Sequence, residues 1–71
     1  MKLTVDYLEE NFRHNYHPEI GWVLYVEPFW IIYDPNTKQL FNMIVPNGTR
    51  LLRIPDTVLE LEILLKLVTR E

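Results

Sequence analysis

Residues 29–45 decide what kind of fold is open to this chain. Phe29-Trp30-Ile31-Ile32-Tyr33 is an unbroken run of aromatic and β-branched side chains, which suit a pleated, half-buried surface better than a helix. In Asp34-Pro35-Asn36-Thr37-Lys38 the proline presets φ, and Asp34 and Asn36 can hydrogen-bond their own backbone, so the segment reads as a turn. Gln39 to Val45 then returns as a second strand. An antiparallel hairpin is predicted, and the rest of the chain must pack around it.

Upstream, Trp22-Val23-Leu24-Tyr25-Val26 has the same strand grain. Glu27-Pro28 separates it from the hairpin, and Pro28 cannot donate to a ladder. Two strands joined by a turn is the preferred reading; one long strand bent at an edge or bulge is the alternative. Downstream, Pro46-Asn47-Gly48-Thr49 reads as a second turn leading into Arg50-Leu51-Leu52-Arg53, either a short edge strand or a crossover. Asn47-Gly48-Thr49 also fits the glycosylation pattern, but a plain turn is the simpler reading without an export signal.

Helical signals stand at both ends. Thr4 can cap a first helix whose early turns carry Asp6, Glu9 and Glu10, with Val5, Leu8 and Phe12 on one narrow stripe. Pro18 keeps His17 out of helical angles, so this helix should stop near Arg13 or His14. Pro55-Asp56 opens the last helix, with Asp56 as the expected cap and the end near Thr69 or Arg70. The expectation is a single small α+β domain over residues 1–71. Its three- or four-stranded antiparallel sheet would be flanked by N- and C-terminal helices, in the order α-β-β-β-α.

Composition removes many functions. The chain has no Cys, Ser or Ala and only two Gly, which excludes disulfide scaffolds, thiolate metal sites, Ser or Cys nucleophiles and glycine-rich phosphate loops. The formal net charge of -3 is spread thinly, with no cluster of Lys and Arg to meet a nucleic-acid backbone. No stretch nears the roughly 18 apolar residues of a membrane span, and the N-terminus reaches Asp6 without an apolar signal core. A cytoplasmic protein without cofactor, nucleic-acid partner or membrane association is expected.

The arrangement of apolar residues speaks most directly to function. Projected as a helix, Val58, Leu61, Ile63, Leu64, Leu65, Leu67 and Val68 cover about 220° of the circumference, where an ordinary surface helix needs little more than about 100°. In the strands, Phe29, Ile31 and Tyr33 oppose Trp30 and Ile32, and Leu40, Asn42 and Ile44 oppose Phe41, Met43 and Val45; both sheet faces are apolar. Two helices could sandwich the sheet, one per face, but the first is short. A 71-residue domain hides only about 60% of the surface of its unfolded chain, so a second molecule is expected to cover the surplus.

The reading that follows is a non-catalytic protein-interaction module, a homodimeric regulator or inhibitor that binds a larger protein. Tyr25, Trp30, Phe41, Ile63 and Leu67 are its candidate partner-binding residues. One alternative is a metal-binding or metal-sensing protein built on Glu10, His14 and His17, in which Glu10 and His14 share a helix face and His17 follows. Exposed histidines near a helix C-terminus need no metal, so this set is a weak candidate. Another alternative is a structural subunit of a larger assembly. Arg50 and Arg53, flanking Leu51-Leu52, could hold a phosphate or a partner carboxylate, or keep an edge soluble.

Overall fold

The computed structural model describes residues 1–45 and 50–69. Thr4 caps the first helix, α1 (Val5–Asn11), as its sequence requires: its hydroxyl accepts a hydrogen bond from the Tyr7 N–H at 3.2 Å. The helix ends two to three residues earlier than its apolar stripe suggests. Phe12 turns extended at φ -133°, its N–H still donating to the Leu8 carbonyl, and the chain enters a strand. That strand, β1 (Arg13–His17), leads through Pro18-Glu19-Ile20 to β2 (Gly21–Val26). Gly21 sits at φ +108°, a backbone state that glycine enters without steric cost.

Glu27-Pro28 is a two-residue turn with a cis peptide bond, and β2 passes directly into β3 (Phe29–Asp34) with Val26 opposite Phe29. The next turn forms where Pro35 and its neighbours place it. The Asp34 carboxylate accepts from the Asn36 N–H at 2.9 Å, and Lys38 takes the left-handed conformation at φ +61°. Then come β4 (Gln39–Val45) and the short edge strand β5 (Arg50–Leu52). The expected turn at Pro46-Asn47-Gly48-Thr49, with its glycosylation-like string, lies outside the described residues.

The result is the expected α+β architecture, but the sheet has five antiparallel strands, in the sequential order β1-β2-β3-β4-β5, where three or four were expected: β1 is the addition, formed where the first helix stops short. Helix α2 (Val58–Thr69) follows. Its cap is Thr57, whose hydroxyl accepts from the Glu60 N–H at 3.1 Å, and not Asp56. The N-terminal segment is the reason. Leu3 donates to the Asp56 carbonyl and Val58 to the Met1 carbonyl, both at 2.9 Å, so Thr57 is held in an antiparallel bridge to Lys2 and the helix begins a residue later.

Strand β4 carries a bulge. Ile32 lies opposite Asn42 but Tyr33 lies opposite Leu40, so Phe41 is one residue too many. Simple alternation would put Phe41 beside Met43 in the core. The bulge breaks that phase: Leu40, Met43 and Val45 reach the core, while Phe41 is half exposed.

A single core joins one face of the sheet to both helices. Val5 and Leu8 of α1 and Leu61 of α2 meet Leu24, Val26, Phe29, Ile31, Tyr33 and Met43. A sandwich with one helix on each face does not form.

Candidate protein-interaction surfaces

With both helices on one side, the opposite sheet face has no helix over it among the described residues. Strand alternation and register place Tyr25, Trp30 and Ile44 in one cross-strand row and Val23, Ile32 and Asn42 in the next. Val23 is fully buried within this face, Tyr25, Trp30, Ile32 and Ile44 are half-buried and Asn42 is exposed; none of the six belongs to the core cluster beneath the helices. Tyr25 and Trp30 stand directly opposite each other, with ring centroids 5.6 Å apart in an edge-to-face arrangement. His17, at the end of β1, stacks on Trp30 at 5.3 Å and hydrogen-bonds the Tyr25 hydroxyl through Nε2. The three rings hold one another in fixed positions, half-buried, on the open face.

Helix α2 provides the second surface. Val58, Leu61, Leu64 and Leu65 turn toward the core. Leu59, Ile63 and Leu67 are 63%, 50% and 63% exposed and recur every four residues, so they form one stripe along the opposite side.

The sequence-derived binding residues therefore divide between two places. Tyr25 and Trp30 are neighbours on the open face, and Ile63 and Leu67 lie together on α2. Phe41 is 51% exposed at the bulge, and among the described residues no ring contact joins it to Tyr25 or Trp30. Two members escape a sequence reading. Leu59 shows in its spacing and not in the width of the apolar arc: its i, i+4, i+8 relation to Ile63 and Leu67 is the signal. In sequence His17 is a possible ligand beyond a helix end; only the β1–β2 register brings it to Tyr25 and Trp30.

The Glu10, His14 and His17 set does not assemble. It required a helix continuing to His14, but α1 stops at Asn11. His14 and His17 lie three residues apart on a strand and so project to opposite faces: His14 contacts Trp22 on the helix-bearing side, His17 contacts Trp30 on the open side. No group of three metal-ligating side chains exists among the described residues. Arg53 is paired with Asp56 at 3.0 Å.

The remaining charged cluster ties α1 to the sheet. Tyr33, buried in β3, donates its hydroxyl proton to Glu9 at 2.9 Å. Burial, with the Glu9 hydrogen bond and charge adding to it, pushes the phenol pKa far above its ordinary value. Lys38, at the β3–β4 turn, binds Asp6 at 2.8 Å and lies 3.8 Å from Glu9. The hydrogen bond to Asp6 raises its pKa. An open groove beside this network, lined by Lys2, Asp6, Lys38, Leu40, Pro55 and Asp56 among others, has its Lys38 and Asp6 charges already paired.

The fold and surfaces define a small helix-backed antiparallel meander in which, among the described residues, a half-buried aromatic sheet face and an exposed apolar helix stripe have no other element packed over them. Comparison with protein-family models, curated proteins and solved structures finds no match for the chain. No helix among the described residues is long and apolar enough to cross a membrane.

Proposed function

We propose that this chain is a non-catalytic protein-interaction module: a cytoplasmic homodimer that binds a larger protein and modulates it. One observation carries the reading. Among the described residues two separate apolar surfaces have no other element packed over them, the half-buried aromatic sheet face and the exposed outer stripe of α2. Burying a large apolar side chain contributes about 1.5–3 kcal/mol, and a 71-residue domain has only about 4–10 kcal/mol of stability in all. Self-association through one patch recovers part of what the isolated protomer forgoes, and it leaves the other free for a different protein. Tyr25 and Trp30 suit the second task, since rigid aromatic rings dominate the energetics of protein interfaces.

Sedimentation equilibrium from low to high micromolar concentration tests the reading. A species of twice the 8.6 kDa protomer mass is expected. A single 8.6 kDa species throughout that range refutes the homodimer.

A further inference from the structure

Helix α2 carries charged residues, Glu60, Glu62 and Lys66, beside its exposed apolar stripe. We infer that the dimer, on the homodimer reading above, forms by antiparallel packing of α2 against α2 across a two-fold axis near Ile63. Viewed down the helix from Ile63, Leu59 and Leu67 lie about 40° to either side, giving a symmetric apolar seam. Glu60 borders the seam on one side. Lys66 and Glu62 border it on the other, at about 60° and about 100°. Among the described residues neither Glu62 nor Lys66 has an ion-pair partner within the protomer.

The two possible orientations of a partner helix differ in sign at this border. In an antiparallel two-fold pair, a residue n positions after Ile63 meets the partner's residue n positions before it, and each keeps its side of the seam. Leu59 then faces the partner's Leu67, and Lys66 stands beside the partner's Glu62, about 3 Å apart along the axis. Symmetry makes that contact twice. In a parallel pair the two borders exchange sides, and Glu62 stands beside the partner's Glu60 instead. The antiparallel dimer therefore gains two opposite-charge pairs against one like-charge approach, Glu62 to Glu62 of the partner subunit, about 3 Å apart along the axis but farther from the seam, where the parallel dimer gains two repulsions and no attraction. On the open sheet face Arg13 lies opposite Tyr25 at the β1 edge, while Tyr25, Trp30, Ile32 and Ile44 carry no charge.

Sedimentation equilibrium on the full chain tests this with four variants, Trp30→Ala among them, each checked for an unchanged far-UV circular dichroism spectrum. Ile63→Asp, at a half-exposed site, should give a monomer; should it disturb the fold, Leu67→Asp at the more exposed end of the stripe replaces it. Glu62→Lys should weaken the dimer about three- to tenfold in Kd by setting Lys beside Lys66 of the partner subunit, whereas a parallel dimer would tighten by a similar factor. Glu62→Lys with Lys66→Glu should restore wild-type affinity. A dimer that survives Ile63→Asp but is lost in Trp30→Ala overturns this inference and leaves the homodimer standing, and so does tightening by Glu62→Lys. A wild-type chain that is monomeric overturns both.

Discussion

Tyr33 joins the sheet to α1, because its ring lies in the core while its hydroxyl holds Glu9. Tyr33→Phe should cost about 1–2 kcal/mol at neutral pH, measured by urea unfolding, since it leaves the ring in place and strips the carboxylate of one donor. The pH dependence follows from the same contact. Tyr33 and Lys38 both have folded pKa values above their unfolded ones, so at alkaline pH the folded state keeps protons that the unfolded chain has released. Stability from these groups is complete below the ordinary phenol pKa of about 10 and falls as pH rises through the folded values. The urea midpoint should decline above about pH 10, and less steeply in Tyr33→Phe; an identical alkaline slope in the variant would remove Tyr33 from the account. Thr57 gives a second single-residue test. Thr57→Ala should lose about 1 kcal/mol as the true cap of α2, while Asp56→Ala, which removes only the exposed pair with Arg53, should lose no more than about 0.5 kcal/mol.

Among the elements, β1 was the least legible from sequence and β3–β4 the most. Phe29 to Val45 declares itself through β-branched and aromatic runs about a Pro-containing turn, and it folds accordingly. Arg13-His14-Asn15-Tyr16-His17 has no apolar alternation at all. It is an edge strand held by its ladder to β2 and by contacts such as Tyr16 against Trp22 at 5.5 Å, neither of which leaves a local pattern. Its polar and charged residues also protect an exposed sheet edge against unwanted pairing. Since β1 depends on the β1–β2 turn, Gly21→Ala should be costly for its backbone alone. The Cβ would meet nothing within 4 Å, but φ +108° suits glycine only. A loss of about 1–2 kcal/mol is expected, with amide hydrogen exchange in β1 accelerating before that in β3; a neutral substitution would show that the turn is not what secures the strand.

For the whole molecule, the consequential fact is that both helices share one face of the sheet. A protomer built in this way should be stabilised by association, because a partner that binds only the folded state shifts the equilibrium toward it. The thermal midpoint should therefore rise with protein concentration over the micromolar range, and it should lose that dependence in Ile63→Asp. Trp30→Ala should keep the fold, as the indole lies outside the core cluster; unfolding of the protomer by this change would place Trp30 among the groups that hold the monomer together.

By itself the sequence determined the α+β class, the helical ends, the central hairpin and an excess of apolar surface, because each of these is written in local propensity and periodicity. Tertiary structure decided the rest. The partition of that excess into an open sheet face and an α2 stripe depends on which side the helices chose. The dispersal of Glu10, His14 and His17 depends on α1 yielding to β1, and the release of Phe41 on one extra residue in β4. These outcomes are set by pairing between segments distant in the chain, and a periodicity read along one segment does not contain its partner.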